Sequence, residues 1–490
     1  MTFERLYKNI IKGSFWNFFS KIITSSLSFL KIIIIARILS PLDFGLLWIA
    51  ILTINFIDTF SHIGLKQSLI QNREDIKTYL NTAWTISILR GFLLYILIFF
   101  LAPLIGLFFE EPNACLIIRV IGLTLIFQGF KNVGVVFFEK ELKFHRKIIL
   151  DISYELPAFI ISISLVFYFR NLWAWVFGTL IGSILVCITS YFIHPYKPKF
   201  EIKRGKAFKM FNFGKWLLIN NIIIYFLIQG DELYIGKFFG ATALGFYTLA
   251  YKISNLITTE ITHVITSVAF PSFSIVQNNK QQLKNLYIEF VQLTSFFIFP
   301  ISGLIFTLAE NFTYSILGIK WAPIIPLIMI LIFEAILRSI GSTLGSLSLG
   351  IGQPNIITKT ALIQLLIFIV LIYPISLIFN IIGVAIVVLL HHLITTPIML
   401  KLCFSKINLN LRVWISSISF PLLSTILMSL IIFLLQIFFE SSLFSLLFLI
   451  LIGISIYLIF GFVCIKVNIL QSRRILQSLK QIRSNLFKLN

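Results

Sequence analysis

The chain has 490 residues, of which 58% are hydrophobic and only 12% are charged, and its mean hydropathy is +0.98. This composition excludes a soluble globular protein, because folding could not remove so much apolar surface from water. The net charge of +21 would suggest nucleic acid as the partner of a soluble protein, but in a membrane protein it must first be divided between the two sides of the bilayer.

Apolar segments of about 20 residues recur along the whole sequence, and each can cross a hydrocarbon core of about 30 Å. They predict an all-α polytopic membrane protein with about fourteen transmembrane helices. The first segment begins near Ser14 and lacks the small-residue cleavage site of a signal peptide, so we interpret it as a retained span. The predicted spans are residues 14–36, 44–64, 79–101, 114–136, 148–169, 172–193, 211–235, 244–269, 286–309, 323–349, 356–378, 381–400, 412–437 and 442–465.

The basic residues alternate between the connections that link these spans. If the N-terminus is cytoplasmic, the cytoplasmic segments hold 28 of the 40 lysines and arginines, the outer loops hold 4 and the spans hold 8. Cytoplasmic loops of membrane proteins carry such an excess of Lys and Arg. The pattern therefore predicts that both termini are cytoplasmic. A basic inner face also attracts anionic lipid, so membrane lipids are expected as partners and nucleic acid is not.

The chain also carries a weak internal repeat. A shift of 200 residues superimposes Trp16 on Trp216, Arg37 on Lys237, Gly45 on Gly245 and Ala50 on Ala250. Because each half holds an even number of spans, both halves enter the membrane from the same side, as in parallel repeats. The predicted organisation is an N-terminal six-helix lobe at 1–195, a cytoplasmic basic linker at 196–210, a second six-helix lobe at 211–403, two additional helices at 404–466 and a cytoplasmic basic tail at 467–490.

The tail repeats apolar residues at helical spacing from Ile475 to Leu486, with basic residues elsewhere around the helix. That pattern is typical of an amphipathic helix on the membrane surface. A solvated polar tail is the alternative interpretation.

Charged residues within spans are costly, by roughly 2.5–3.5 kcal/mol each on the insertion scale, and usually face a protein interior or a cavity. In the first span, polar residues follow one another at spacings of 4, 3, 4 and 3, which places them on a single stripe. The stripe either lines a hydrated cavity that attracts anions or pairs with other helices in a structural role. Its members are Asn17, Lys21, Thr24, Ser28 and Lys31.

Further spans add ionisable residues. Asp58 and His62 share a face of the second span, where Asp58 could neutralise a lysine of the first span and His62 could titrate; a satisfied buried cluster is the alternative. Glu334 and Arg338 are four residues apart, which predicts a structural pair. The candidates for binding substrate are Lys21, Lys31, Arg90, Arg119 and Lys252. The candidates for coupling or charge balance are Asp58, His62, Asp231 and Glu260.

The surplus of cations within the spans suits a ligand with concentrated negative charge, such as a phosphate or pyrophosphate. The sequence has no Walker A loop, no HExxH motif and no paired CxxC, so we expect no catalytic residues, no metal and no cofactor. Outer loops of at most about 15 residues also leave little room for a catalytic site, which disfavours a membrane-embedded glycosyltransferase, polymerase or ligase.

Several segments resemble the Wzx-type polysaccharide and oligosaccharide flippases of the multidrug/oligosaccharidyl-lipid/polysaccharide exporter superfamily. Their order and spacing carry the resemblance more than any single motif does. Asp231 and Lys252 are the candidate residues that fall within these motifs. The segments include LSPLDFGLL (39–47), FSHIGLKQSLIQ (60–71), GDELYIGKFFG (230–240) and ALGFYTLAYK (243–252).

The resemblance implies two lobes around a central cavity that alternate between inward-open and outward-open states. It implies transport of an undecaprenyl-pyrophosphate-linked oligosaccharide to the outer leaflet of the bacterial inner membrane, for capsule, exopolysaccharide, O-antigen or teichuronic acid synthesis. It also implies coupling to a proton or sodium gradient, and a polysaccharide polymerase with its chain-length machinery as partners. An exporter of drugs or other small molecules on the same fold is the alternative.

Overall fold

The computed structural model of the chain describes residues 3–61, 64–71, 77–141 and 143–466. Every regular element in these ranges is helical, which confirms the all-α prediction. The helices are α1 (Phe3–Ile38), α2 (Pro41–Ser61), α3 (Leu65–Gln71), α4 (Lys77–Phe108), α5 (Ala114–Phe130), α6 (Val136–Lys140), α7 (Phe144–Phe169), α8 (Trp173–Ile193), α9 (Arg204–Val276), α10 (Lys280–Phe312), α11 (Ile324–Gly350), α12 (Pro354–Ile407), α13 (Leu411–Gln436) and α14 (Leu443–Lys466).

In the described ranges, 10 helices are long and apolar enough to span a membrane, or up to 11 if α5 and the helical turns after it count as one span bent by 70°. The 54 residues of α12 would extend about 80 Å if straight, but Asn380 breaks the helix with φ 52° and ψ −136°. Gly240 breaks α9 in the same way, with φ 79° and ψ 177°. The polytopic membrane architecture is confirmed. The number fourteen stays a prediction, because no part of α9 is among the helices counted.

Large apolar side chains cover the outward faces of the membrane helices. On α4, Leu93, Phe100 and Leu107 are 63%, 72% and 69% exposed. A soluble protein would not leave such a continuous apolar face in water, whereas hydrocarbon chains solvate it. Hydrophobicity therefore places these helices in the membrane, and their packing depends on the residues of the opposite face.

The chain divides into two compact units, Met1–Thr248 and Leu249–Asn490. In the first unit, α7 packs against α1 and α8, and α5 packs against α2, α4 and α8. In the second unit, α10 packs against α11, α13 and α14, while α11 packs against α12. The division falls after the predicted linker because the first part of α9 packs on α2, where the Tyr225 hydroxyl donates to the carbonyl of Leu52 at 3.0 Å. The organisation inferred from the sequence, with two six-helix lobes and two additional helices, stays a prediction.

The beginning of α2 contacts the part of α9 that follows Gly240, and the contact repeats itself at a shift of 200 residues. A Cβ atom on Gly45 would lie 1.7 Å from the carbonyl oxygen of Ala241. A Cβ atom on Gly245 would lie 2.3 Å from the carbonyl oxygen of Pro41. At this shift Gly45 corresponds to Gly245, and Pro41 corresponds to Ala241. The two contacts are therefore equivalent, as a local two-fold axis would make them. Only glycine permits this approach of the two backbones.

The connection between α8 and α9, residues 194–203, is bound along the beginning of α4. The backbone N–H of Lys199 donates to Asn81 Oδ1 at 3.0 Å. The N–H groups of Glu201 and Lys203 donate to the hydroxyls of Thr85 and Thr82, each at 3.1 Å. The composition of this segment predicts a polar surface linker. Its backbone N–H groups, however, donate to side chains of α4 where a free linker would donate to water.

The charged side chain of Glu201 also helps to hold the connection on α4. The Glu201 carboxylate accepts hydrogen bonds from Lys203 Nζ at 2.8 Å and from Asn81 Nδ2 at 2.9 Å. These bonds, that from Lys203 first, hold the pKa of Glu201 below its usual value. The Tyr196 hydroxyl also donates to Asn81 Oδ1, so a single amide side chain joins three residues of the connection to α4.

We expect Asn81→Ala to destabilise the protein by about 1–3 kcal/mol, because the substitution leaves the Lys199 N–H and the Tyr196 hydroxyl without their acceptor. Thermal unfolding of the detergent-solubilised protein measures the change. The matched control is Asn285→Ala, at an exposed position where the amide oxygen accepts a long bond of 3.3 Å from exposed Gln281. Equal melting temperatures for the two variants would show that Asn81 does not hold the connection.

Candidate functional site: a basic cavity in the first unit

A cavity of about 760 Å³ lies inside the first unit, among α1, α3, α5, α7 and α8. We call it the basic cavity, because its ionisable lining holds four lysines and two carboxylates. These residues are Lys21, Lys66, Lys131, Lys147, Asp151 and Glu155. The described part of the chain contains no group of three or more His, Cys, Asp or Glu residues that could hold a metal ion.

One face of α7 supplies three of these side chains. Lys147, Asp151 and Glu155 follow one another at intervals of four residues, so they lie along one side of the helix. Sequence reasoning missed all three, although the same spacing argument that identified the stripe of the first span applies to them. It also missed Lys66, which comes from the short helix α3.

The lysines of the basic cavity differ in how far protein carboxylates already neutralise them. Glu139, which is outside the lining, lies 2.7 Å from Lys66 Nζ and 3.4 Å from Lys147 Nζ. Lys131 follows directly after α5, where the partial negative charge of the helix end favours a cation. No carboxylate of the described residues lies within 4.0 Å of the Lys131 ammonium. Its charge is therefore available to an anion in the cavity.

The polar stripe of α1 divides into two environments. Lys21 lines the basic cavity, as does Ser20, whose hydroxyl donates to Asp151 Oδ2 at 3.0 Å. Lys31 is buried, 3.5 Å from Glu155 Oε2 and 5.4 Å from the centre of the Trp175 ring. The Asn17 side chain lies outside the described residues. Of the two open interpretations of the stripe, a cavity fits the position of Lys21 and a structural pair fits that of Lys31.

Asp58 pairs with Arg90, whereas the sequence suggested a lysine of the first span. Arg90 Nη2 lies 2.5 Å from Asp58 Oδ1. The guanidinium also donates to the carbonyl oxygens of Asp58 and Ser61, both at 2.9 Å, and so satisfies acceptors that the end of α2 would otherwise leave unpaired. His62, the next residue, lies outside the described residues.

Two further candidates of the first unit lie away from the basic cavity. Arg119 donates to the carbonyl of Phe99 at 3.1 Å, and its guanidinium lies 4.4 Å from the centre of the Phe99 ring. Asp231 is buried, and its carboxylate accepts hydrogen bonds from the Tyr247 hydroxyl at 2.5 Å and from the Glu232 N–H at 2.9 Å. The structure does not bring these two residues together with Lys21.

The second unit contains a separate polar network. Glu334 and Arg338 form an ion pair at 3.3 Å, and His392 Nε2 lies 3.3 Å from the same carboxylate oxygen. Arg338 also donates to Asn255 Oδ1 at 2.5 Å and to Thr259 Oγ1 at 2.7 Å. Sequence reasoning did not consider His392, although two adjacent histidines in an apolar span are a readable signal.

Lys252 and Glu260 belong to the same unit, are half-buried and lie on the second part of α9.

Comparison with known proteins gives a consistent result. The family described as "Polysaccharide biosynthesis protein" matches residues 34–326. The lipopolysaccharide biosynthesis protein WzxC of Escherichia coli K12 is 25% identical over 366 residues, which cover 74% of each chain. The teichuronic acid biosynthesis protein TuaB of Bacillus subtilis 168 is 22% identical over 71% of this chain and 73% of its own.

Solved structures match the fold. The lipid II flippase MurJ, in an inward closed conformation, has a TM-score of 0.70 at 20% identity and covers 92% of this chain and 98% of its own. An inward-facing multidrug resistance transporter of the MATE family has a TM-score of 0.60 at 14% identity, over 79% of this chain and 94% of its own. The chain therefore shares the fold of these two transporters.

Proposed function

The chain belongs to the polysaccharide biosynthesis protein family, and from that membership we propose that it is a flippase for lipid-linked oligosaccharides. It moves an undecaprenyl-pyrophosphate-linked saccharide from the cytoplasmic to the outer leaflet of the bacterial plasma membrane by alternating access. The family match, relatives named for lipopolysaccharide and teichuronic acid synthesis, and a fold like that of the lipid II flippase support this function.

The basic cavity supports this function because its lysines can bind the pyrophosphate of the substrate. A pyrophosphate group loses a large hydration energy when it leaves water for a membrane interior, and cationic side chains must replace that hydration. The cavity offers four lysines against two carboxylates, and its volume of about 760 Å³ exceeds what a pyrophosphate alone would fill. Lysine contacts phosphate as a compact charge with three donors, which tolerates different lipid-linked substrates.

The lysines have different roles in this proposal. Lys131 and Lys21 contact the pyrophosphate, since Lys131 has no carboxylate within 4.0 Å among the described residues and Lys21 lines the same cavity. Lys66 and Lys147 share Glu139, so an entering anion competes with that carboxylate for them. With cytoplasmic termini, as the distribution of basic residues predicts, the cavity lies toward the cytoplasmic leaflet, where the substrate is made.

We expect the double variant Lys21→Gln, Lys131→Gln to lower export of surface polysaccharide at least tenfold, because each lost charge-assisted hydrogen bond contributes about 1.5–3 kcal/mol. Surface polysaccharide and the lipid-linked saccharide in the inner leaflet are measured together with the amount of protein in the membrane. The control is Lys280→Gln at the exposed beginning of α10. Full export by the double variant would contradict the role of the basic cavity.

A transporter releases its substrate chemically unchanged, which separates this proposal from an enzyme of polysaccharide synthesis. Purified protein in liposomes is expected to move the lipid-linked saccharide across the bilayer without altering its mass. A polymerase that joins the translocated units is then the partner that acts next. A deletion strain that became drug-sensitive with normal surface glycan would instead indicate an exporter of small molecules.

A further inference from the structure

A second cavity of the first unit lies between α2 and the first part of α9 and has a volume of about 370 Å³. We call it the amide cavity, because three carboxamide side chains dominate its polar lining. The described residues of the lining include no lysine and no arginine. The polar residues are Asn55, Asp58, Thr59, Asn221 and Gln229.

The charge of the amide cavity is nearly balanced. Asp58 is the one carboxylate among the described residues of its lining, and Arg90 compensates that charge through a contact of 2.5 Å. Arg90 is itself fixed by the carbonyls at the end of α2, so this pair has little freedom to separate. A ligand of high charge gains little here. A neutral ligand that both donates and accepts hydrogen bonds matches the carboxamides, which offer both functions.

One polar atom of this lining lacks a partner. Gln229 Oε1 is buried, and none of the described residues donates a hydrogen bond to it. The nearby Tyr225 hydroxyl does not satisfy it, because that hydroxyl donates to the Leu52 carbonyl at 3.0 Å. Nearly all buried acceptors in folded proteins are paired. Gln229 lines the amide cavity, so a ligand there could give this side chain the hydrogen bond that its oxygen lacks among the described residues.

Tyr225 is the aromatic residue in the described lining of the amide cavity, and further rings outside the lining pack against it. Phe56 lies 5.6 Å from Tyr225 and 4.3 Å from Phe60, and Phe226 packs against the same rings at 6.0–6.4 Å. Saccharides carry hydroxyl and acetamido groups at the edges of rings whose faces are apolar C–H surface. The planar amides of the lining match the polar groups of a sugar, and the Tyr225 ring with Ile224 and Ile228 matches its apolar faces.

A third, smaller cavity shares lining residues with the basic cavity and is next to the amide cavity through one ion pair. Arg90 lines this third cavity, of about 230 Å³, together with Lys66 and Lys131, which also line the basic cavity. On its other side Arg90 binds Asp58 of the amide cavity. A substrate that joins a pyrophosphate to a sugar therefore meets a cationic and a neutral polar site in the same region of one unit.

We propose that the amide cavity is a saccharide subsite, which binds hydroxyl or acetamido groups of the lipid-linked oligosaccharide while the basic cavity binds its pyrophosphate. This inference rests on the proposed flippase function. Gln229 and Asn221 of α9 and Asn55 of α2 donate to and accept from the sugar. The subsite adds affinity for the sugar-bearing lipid over the same lipid without sugar.

The test measures binding of two lipids to purified protein by native mass spectrometry. The probes are undecaprenyl pyrophosphate and the lipid-linked saccharide that accumulates in a deletion strain of the same bacterium. We expect the wild type to prefer the saccharide lipid at least tenfold. The double variant Asn221→Ala, Gln229→Ala is expected to lose this preference, with its affinity for undecaprenyl pyrophosphate unchanged within twofold. Gln281→Ala, at an exposed position of α10, is the control.

Two outcomes would overturn the subsite: a double variant that keeps the preference, or one that loses affinity for both lipids equally. If the double variant does not fold, Gln229→Leu replaces it, because that change keeps the volume of the side chain and removes an acceptor without a described partner. A wild type that binds both lipids equally refutes the saccharide subsite alone. A wild type that binds neither lipid contradicts the flippase function itself.

Discussion

Replacing Gly45 with alanine is expected to destabilise the protein by about 3 kcal/mol, at the upper end of the range for overpacked sites. The added Cβ would lie 1.7 Å from the carbonyl oxygen of Ala241, and a backbone atom cannot rotate away as a side chain can. The beginning of α2 must therefore separate from α9. Gly245→Ala is expected to act in the same direction, because its Cβ would lie 2.3 Å from the carbonyl oxygen of Pro41.

Thermal unfolding in detergent measures both effects, and the matched control is Gly341→Ala in α11. Nothing lies within 4 Å of a Cβ on Gly341, so there alanine is expected to be neutral or to stabilise the helix slightly. The double variant Gly45→Ala, Gly245→Ala should cost less than the sum of the single changes, since separating the helices once relieves both clashes. Wild-type stability of Gly45→Ala would mean that α2 and α9 are not packed this closely.

Lys31→Met is expected to destabilise the protein by roughly 3 kcal/mol, because the change leaves the half-buried Glu155 carboxylate without its counter-ion. The double variant Lys31→Met, Glu155→Met should recover most of that loss, since two apolar side chains of similar size can replace a buried ion pair. The melting temperature and the export of surface polysaccharide are measured for both variants.

This comparison separates the two interpretations of the α1 stripe. If Lys31 is structural, the double variant regains stability and export together. If the pair of Lys31 with the cavity residue Glu155 also serves transport, stability returns but export does not. A single variant as stable as the wild type would contradict the importance of the ion pair. The sequence leaves both interpretations open because Glu155 lies 124 positions away from Lys31 along the chain.

The sequence predicted the membrane helices well, because a long apolar segment followed by a polar connection is enough to identify each one. Lys77–Phe108 and Trp173–Ile193 contain or closely match the predicted spans at 79–101 and 172–193. The superposition of Gly45 on Gly245 predicted only a repeat, and the structure shows that both glycines lie where two backbones approach closely. Such features depend on local composition and on the chain's own repeat.

The hydrogen-bond and ion-pair partners of polar residues were harder to predict than the positions of the helices. Nothing in the spacing of Asp58 distinguishes Arg90 from the lysines of α1, because the choice depends on which helices pack together. The attachment of residues 194–203 to α4 joins Asn81 with residues more than 110 positions later, and no periodicity reports such a pair. By contrast, the stripe of Lys147, Asp151 and Glu155 was readable and was missed.

The attachment of the α8–α9 connection has a consequence for dividing the polypeptide. A basic, polar segment in the middle of a membrane protein looks like a natural place to split the gene or insert an epitope. Here the backbone of that segment is hydrogen-bonded to Asn81, Thr82 and Thr85, and the compact unit continues to Thr248. If the chain were divided within residues 194–203 and expressed as two fragments, these hydrogen bonds would have to form between separate polypeptides.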